Sequence, residues 1–303
     1  MPYKGSKNAI ARDIVEFLPK ADVLVDICAG GCAVTHCALE SGKWAKVVAN
    51  DINPMPVMLF WDAMHGKFRD ETRWISREDF KALRDSDPYV KYCWSFGNNG
   101  KDYLYGADIE ELKRGLHEML FAETVSERYA LWRTLWRTIR TSTAANKDRQ
   151  LGELQNLEGL QRLESVERLQ NLERLDDTQR RDGSIRGGAE LEISSLDYAD
   201  VPIPDGAVIY ADIPYENTNC GSYQGFDSVR FYDWAAAQDV PVYFSSYDIS
   251  DGRFPVVWSK TKSVLSTNNG TSGKALERIY ANGAGVERLA KVDAQMSIFD
   301  EVV

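Results

Sequence analysis

The chain has 303 residues, of which 44% are apolar and 11% aromatic, so it can bury a substantial core and is not intrinsically disordered. Its formal net charge of −10 excludes a uniformly basic surface, although a local basic stripe can still bind nucleic acid.

The cysteines and the N-terminus indicate an intracellular setting. The five cysteines are an odd number without the spacing of a disulfide scaffold, which favours reduced thiols. The N-terminus has no apolar signal region, and no apolar run approaches transmembrane length. We therefore expect a soluble protein without a membrane partner.

The first 54 residues predict a nucleotide-type βαβ unit. A helix over residues 8–18 is followed by a strand over 22–27, a glycine-containing turn, a helix over 34–39 and a strand over 44–50. Small residues in such a turn let the backbone approach a ligand, and Asp51 after the second strand can accept hydrogen bonds from ribose hydroxyls. The strict G-x-G-x-x-G pattern is absent, so a tight turn without a ligand is the alternative.

Residues 55–150 predict a helical insert that reads nucleic acid. They contain few strand signals, a polar loop over 94–101 and arginines at helical spacing among tryptophans. Such cations suit phosphate contact, and the aromatic rings suit base stacking. The alternative is a surface helix whose arginine stems cover apolar area. The candidate DNA contacts are Asn98, Asn99, Lys101, Arg133, Arg137 and Arg140.

Residues 151–187 form a separate segment in this interpretation. An apolar residue recurs at every third position over 151–175, and a glycine-containing joint follows. A period of three would wind an apolar stripe around an α-helix by about 60° per repeat, so we predict a helix that is partly buried in a partner or by self-association. A 3₁₀-like or solenoid arrangement and a linker without chemistry are the alternatives.

Residues 188–303 complete the domain that begins with residues 1–54. Strands are predicted over 190–195, 208–212 and 241–247, a polar loop over 216–230, a helix over 234–238, and a closing strand pair at 254–258 and 278–280. The central buried strand ends in Asp212, Ile213, Pro214 and Tyr215. Ligands of open α/β sheets bind beyond such strand ends, so these four residues start the site hypothesis.

With these segments in order, the sequence resembles the Dam-like (D12 class) DNA adenine-N6 methyltransferases, particularly phage-borne ones. The segment Pro2-Tyr3-Lys4-Gly5-Ser6-Lys7 is similar to the N-terminal cofactor motif, and Asp26-Ile27-Cys28-Ala29-Gly30-Gly31-Cys32 to the glycine-rich first motif. Asn50-Asp51-Ile52-Asn53 resembles the ribose motif, Asp212-Ile213-Pro214-Tyr215 the catalytic Asp-Pro-Pro-Tyr tetrad, and Glu277-Arg278-Ile279-Tyr280 the closing strand. Cys32 and Ile213 depart from the usual glycine or alanine and proline.

The resemblance implies a Rossmann-like α/β fold with a mostly parallel sheet, S-adenosylmethionine as cofactor and double-stranded DNA as partner. It also implies the cytoplasm of a bacterial or phage-infected cell as location. The implied cofactor-binding residues are Tyr3, Lys7, Asp26, Cys28, Gly30, Asp51, Ile52 and Asp212.

In the implied reaction, Asp212 and the Ile213 carbonyl accept the protons of the target adenine amine. Pro214 keeps Ile213 extended, and Tyr215 stacks on the base, which must leave the duplex. Asp197, after the preceding strand, is either a further residue of the adenine pocket or the cap of a turn.

Other classes of function stay open on sequence alone. A NAD-dependent dehydrogenase would use the same βαβ unit, and a non-catalytic DNA-binding or assembly protein would tolerate Cys32 and Ile213. Cytosine-N4 or RNA methylation would suit the same tetrad. Cys28, Cys32, Cys37 and His36 lack a paired C-x-x-C spacing, so no metal is expected.

Overall fold

The structure is a computed structural model that describes residues 3, 6–141, 147, 152, 189–216, 225–265 and 272–300. It divides into a sheet unit, drawn from residues 5–58 and 179–303, and a helical unit, drawn from residues 1–4 and 59–178. The leucine repeat over 151–175 lies outside the described residues, apart from Gly152. In the part of the chain that is described, no helix is long and apolar enough to cross a membrane.

The sheet unit is built on a seven-stranded, mostly parallel sheet with the order β3-β2-β1-β4-β5-β7-β6. Its strands are β1 (Val23–Asp26), β2 (Lys46–Asn50), β3 (Glu190–Ser194), β4 (Val208–Asp212), β5 (Val242–Ser246), β6 (Val256–Leu265) and β7 (Ser272–Ala281). β7 runs antiparallel to both of its neighbours. This mostly parallel sheet, together with the helices that connect its strands, confirms the predicted Rossmann-like methyltransferase fold.

The strand order reverses beside β1, which pairs in parallel with β2 on one side and with β4 on the other. The chain adds β2 and β3 in one direction from β1, then returns to add β4 and β5 in the other. Such a reversal leaves a crevice at the carboxyl ends of the two central strands, where open α/β sheets bind their ligands.

Helices accompany the sheet and make up most of the helical unit. They are α1 (Ala11–Phe17), α2 (Ala33–Ser41), α3 (Pro54–Met64), α4 (Arg77–Leu83), α5 (Pro88–Cys93), α6 (Glu110–Leu120), α7 (Val125–Thr141), α8 (Ser228–Ala236) and α9 (Gly283–Asp300). The start of α5 shows how local sequence sets these bounds. Asp87 accepts hydrogen bonds from the amides of Tyr89 and Val90, and Pro88 occupies the first helical position, where no amide donor is needed.

The core of the sheet unit holds the central strands rigidly in place. β5 is buried along its whole length, and Phe244 on it contacts Phe231 and Phe254 edge-to-face at 5.4 and 5.1 Å between ring centroids. Ile213 belongs to the same apolar cluster and is only 2% exposed. The isoleucine that replaces a proline in the tetrad therefore contributes core packing.

The predicted strands are all present, but several element bounds differ from prediction. The helix placed at 234–238 begins at Ser228, because Asp227 accepts a hydrogen bond from the amide of Arg230 and starts it earlier. Assigning 228–230 to the loop was therefore wrong, and residues 217–224 of that loop lie outside the described residues. β6 and β7 are longer than the predicted closing pair, and α9 was not predicted.

The helical unit contains the helix pair α6 and α7, packed through a small apolar cluster. Leu112 and Leu116 of α6 meet Leu135 and Ile139 of α7. Gly115 lies against Leu135, and a Cβ at this glycine would lie 2.3 Å from the Leu135 Cδ2. The absent side chain therefore sets the close approach of the two helices.

Candidate active site

Three acidic side chains lie at the carboxyl edge of the central strands. Asp26 ends β1, Asp212 ends β4, and Asp51 directly follows β2. Burial raises the pKa of Asp26 to about 7, and the negative charges of Asp212 and Asp51 add to this effect although Thr35 opposes it. The three carboxyl groups therefore act on one another at the crevice that the strand order creates.

The turn between β1 and α2 is held in a left-handed backbone conformation at two positions. Gly30 has φ 47°, and Cys32, which precedes α2, has φ 54° and ψ 33°. Left-handed backbone costs a side-chain-bearing residue roughly 1–2 kcal/mol, which is the physical reason for a glycine in this motif. The Cys32 side chain is fully buried, so apolar contact offsets part of that cost.

Asp26 anchors the start of the helix that follows the turn. Its Oδ2 accepts hydrogen bonds from the Thr35 amide at 3.1 Å and from the Thr35 hydroxyl at 2.6 Å. The side chain is 1% exposed. In this position Asp26 fixes α2 relative to β1, and its predicted contact with a cofactor stays a prediction.

Asp51 connects the glycine turn with the beginning of α3. Its Oδ2 accepts a hydrogen bond from the Gly30 amide at 2.8 Å, and its Oδ1 accepts one from the Asn53 amide at 2.9 Å. A carboxylate oxygen can accept more than one hydrogen bond, so ribose hydroxyls are further candidate partners of this acid. The neighbouring Ile52 is 61% exposed and offers an apolar surface beside this acid.

Asn50 joins the ends of three strands directly behind Asp51. Its Nδ2 donates to the carbonyls of Ile27 and Leu196, both at 3.0 Å. Its Oδ1 accepts from the Ser194 hydroxyl at 2.8 Å and from the Leu196 amide at 2.9 Å. A single buried amide thus ties the exits of β1 and β3 to β2, a role that its place in the motif did not reveal.

At the end of β4, Lys7 connects the two side chains predicted to act in catalysis. Its Nζ donates to Asp212 Oδ1 at 2.6 Å and also bonds to the Tyr215 hydroxyl. It lies 3.2 Å from Glu277 Oε1, and the Tyr215 hydroxyl donates to the same Glu277 oxygen. We call Lys7, Asp212, Tyr215 and Glu277 the lysine cluster.

The lysine cluster is largely removed from water. The side chains of Lys7 and Glu277 are 7% and 0% exposed, while that of Asp212 is 24% exposed. Burial works against the Lys7 charge, but Asp212 and Glu277 outweigh it and raise the Lys7 pKa. Burial, together with the same two carboxylates, also raises the pKa of Tyr215, so its hydroxyl stays protonated and donates.

Tyr215 also has an aromatic neighbour. Its ring contacts that of Tyr247 edge-to-face, with 4.6 Å between centroids. Asp212 and Tyr215 therefore lie together at the strand end, as the site hypothesis requires. The sequence indicated Glu277 only as part of a strand motif, and no local pattern predicted its contact with Lys7.

Tyr3 and the predicted DNA contacts of the polar loop lie in the helical unit. Tyr3 lies in the helical unit, where its ring packs edge-to-face on Tyr92. Asn98 donates to the Tyr92 carbonyl at 2.7 Å. Asn99 Oδ1 accepts from the amides of Lys101 and Asp102. The two asparagines therefore shape their own loop, whereas the Lys101 side chain is exposed.

Three basic residues of α7 form one exposed stripe. Arg133, Arg137 and Arg140 recur at intervals of four and three residues, which places them on one face of the helix, and all three are exposed. Trp132 and Trp136 lie beside them with their rings stacked at 5.8 Å and an interplanar angle of 13°. Cations and exposed aromatic rings thus share a surface of the helical unit.

Asp197 and the candidate metal ligands around His36 lie in defined local surroundings. Asp197 caps a short 3₁₀ helix by accepting from the Ala199 amide, and it forms a two-pronged pair with Arg230, so its interpretation as a turn cap is confirmed. Of the candidate metal ligands, His36 and Cys37 lie near Glu40, with all three ligand atoms within 4.8 Å of one another.

A strand-order reversal with a glycine turn and acids at the carboxyl edge defines a Rossmann-like α/β protein. Residues 3–142 match the sequence model of the D12 class N6 adenine-specific DNA methyltransferases. This match covers somewhat less than half of the chain and supports an adenine-specific DNA methyltransferase, in agreement with the resemblance. The matched region contains the glycine turn, Asp51 and α7, and it ends before β3. A search of curated proteins finds no significant match.

Proposed function

We propose that the protein transfers a methyl group from S-adenosylmethionine to the N6 amine of an adenine extruded from double-stranded DNA. The observation that carries the proposal is the contact of Asp212 and Tyr215 with Lys7 at the end of β4, beside the crevice at the strand-order reversal. The match to the family supports DNA adenine methylation. The methyl donor, the extrusion of the base and the roles of the residues are our proposal.

The carboxyl edge suits the proposed cofactor. The left-handed turn at Gly30 removes side-chain bulk where a ligand would approach the backbone, and the Asp51 carboxylate is of the type that accepts hydrogen bonds from ribose hydroxyls. The exposed Ile52 side chain beside Asp51 would contact the adenine ring of the cofactor. When bound, S-adenosylmethionine supplies an electrophilic methyl group on a positively charged sulfur, which the acids of this edge attract.

The target amine needs help because its lone pair is delocalised into the purine ring. Asp212 would accept a hydrogen bond from one N–H of the amine, and the backbone carbonyl of Ile213 would accept one from the other, so that the lone pair points out of the ring plane. The one proton that the amine loses on methylation would pass to Asp212 or to water. Ile213 is well placed to hold its carbonyl still, because its side chain is locked in the core. Positioning and electrostatics then supply most of the rate enhancement.

Lys7 and Tyr215 would organise the pocket for the base. The Lys7 ammonium holds Asp212 in one orientation and keeps its charge. The Tyr215 ring would stack on the extruded adenine and offset part of the lost base stacking. Its buried, protonated hydroxyl would remain tied to Lys7 and Glu277.

Methyl incorporation tests the proposal. Labelled S-adenosylmethionine is incubated with unmethylated double-stranded DNA, and the modified nucleoside is identified. We expect N6-methyladenine from the native protein, none from Asp212→Ala, and a smaller loss of cofactor affinity in that variant. Transfer to cytosine or RNA would instead show cytosine-N4 or RNA methylation, and a DNA complex without any transfer would show a non-catalytic DNA-binding protein. Unchanged turnover of Asp212→Ala would refute its role.

The stripe of Arg133, Arg137 and Arg140 is the proposed DNA contact of the helical unit. Phosphate contacts made by arginine are salt-dependent, so each removed contact reduces the slope of log K against log salt by about 1. We expect Arg133→Ala/Arg137→Ala to reduce this slope by about 2. Arg114, an exposed arginine paired with Glu111 on α6, provides the control Arg114→Ala. An equal slope in all variants would exclude the stripe.

Cytoplasmic action in a bacterial or phage-infected cell accompanies this proposal. Self-association through the leucine repeat stays a prediction, and sedimentation of the full chain measures it.

A further inference from the structure

Glu277 is a buried carboxylate to which the proposed reaction gives no direct part. It lies on β7, and its side chain is 0% exposed. Its Oε1 is 3.2 Å from the Lys7 ammonium and accepts from the Tyr215 hydroxyl. Burying a carboxylate costs several kcal/mol unless charged or hydrogen-bonding partners compensate it, so its place beside the reacting groups needs a reason.

The sheet register brings Glu277 to this place. In the antiparallel pairing of β5 with β7, Ser246 at the carboxyl end of β5 lies opposite Arg278. Successive side chains of a strand point to opposite faces, so Glu277 and Arg278 diverge. Arg278 binds the Tyr247 carbonyl and Asp248, whereas Glu277 turns towards Lys7. The carboxylate thus reaches the end of β4 from a segment some 270 residues away from its lysine partner.

The charges of the lysine cluster show what Glu277 adds. With Lys7 and Asp212 alone, the charge of the ammonium would cancel that of the carboxylate. The net charge would then be zero, and the pocket would not attract a cation. With Glu277 there are two carboxylates and one ammonium, so the cluster carries one net negative charge. Coulomb interactions in such a partly dry site are several times stronger than in water.

We infer that Glu277 is a positioning residue that balances the charge of Lys7, so that the negative charge of Asp212 remains available to the sulfonium of the cofactor and to the amine protons of adenine. This role rests on the proposed function. Lys7 is shared between the two carboxylates, and Glu277 holds it when Asp212 engages the substrate.

The test compares a charged with an uncharged cofactor. Glu277→Gln keeps the size and hydrogen-bonding capacity of the side chain but removes its charge. The dissociation constants of S-adenosylmethionine and of S-adenosylhomocysteine, which has a neutral sulfur, are measured by calorimetry on the full chain. We expect the preference for the sulfonium to fall about tenfold relative to the native protein. Equal loss of affinity for both ligands, or no change, would show a merely structural part and overturn the inference.

A charge-balance series separates this effect from damage to the fold. Lys7→Gln should increase the sulfonium preference, and Lys7→Gln/Glu277→Gln should return it towards the native value, because the net charge of the cluster is again −1. The control Glu192→Gln removes an exposed carboxylate of β3 that pairs with Lys46, and it should leave the preference unchanged. If Glu277→Gln does not fold, an unaltered preference in Lys7→Gln overturns the inference.

Failure of the proposed function gives a different result. In that case the native protein binds neither ligand or transfers no methyl group to DNA. If the native protein binds both ligands and methylates DNA, only the shift in preference decides the role of Glu277.

Discussion

Replacing Asn50 with alanine should weaken the sheet unit at the edge where the cofactor is proposed to bind. The change removes four hydrogen bonds, to the carbonyls of Ile27 and Leu196, the amide of Leu196 and the hydroxyl of Ser194. The 1% exposure of Asn50 means that alanine also leaves a buried gap.

The size of the effect follows from these bonds. At about 1 kcal/mol for each intramolecular hydrogen bond, the four bonds sum to about 4 kcal/mol. Leu196 is 40% exposed, so water can satisfy part of its backbone after the substitution. We therefore expect Asn50→Ala to lose about 3 kcal/mol, which is a large part of the 5–15 kcal/mol typical of a domain.

Urea unfolding followed by hydrogen–deuterium exchange measures this loss and separates the sheet unit from the helical unit. The control Gln238→Ala removes a partly buried amide that makes one bond, to the Trp234 carbonyl at 3.1 Å, and should cost less than about 1 kcal/mol. A loss below about 1 kcal/mol in Asn50→Ala, with exchange of β2 and β3 unchanged, would refute the view that this amide holds the strand ends together.

Three further predictions concern Asp26, Gly115 and Asn282. The pKa of Asp26 is raised to about 7 by burial and neighbouring acids, so the native fold loses stability as pH rises from about 4 through 7. Asp26→Asn should remove this dependence on pH. Between pH 4 and pH 8, its free energy of unfolding should rise relative to that of the native protein by up to about 4 kcal/mol, which denaturant unfolding at several pH values measures. Gly115→Val should destabilise the helical unit by about 1–3 kcal/mol, because the new side chain would overlap with Leu135. In the control Gly283→Ala the added Cβ would meet no atom within 4 Å, so its effect on stability should be nearly zero. Thermal melts measure both variants. Asn282→Ala breaks hydrogen bonds to five backbone groups around β5 and should lower the urea midpoint, and an unaltered midpoint would contradict that role.

The sequence by itself determined the elements whose signals are local. Short apolar runs predicted β1, β2, β4 and β5, because a buried parallel strand needs apolar residues on both faces. Turn residues and terminal acids then identified the glycine turn, Asp51 and the end of β4. These features depend on backbone preferences and burial over a few neighbouring residues.

The tertiary structure decided which distant residues share the site. Glu277 meets Lys7 only because β7 pairs beside β5, and Asn50 reaches Leu196 only because β3 pairs beside β2. Asn98 and Asn99 illustrate the same limit, since a polar loop pattern does not tell whether an amide faces a ligand or its own backbone. Strand order and register set these contacts, and they arise from packing of the whole unit, which no local stretch of residues encodes.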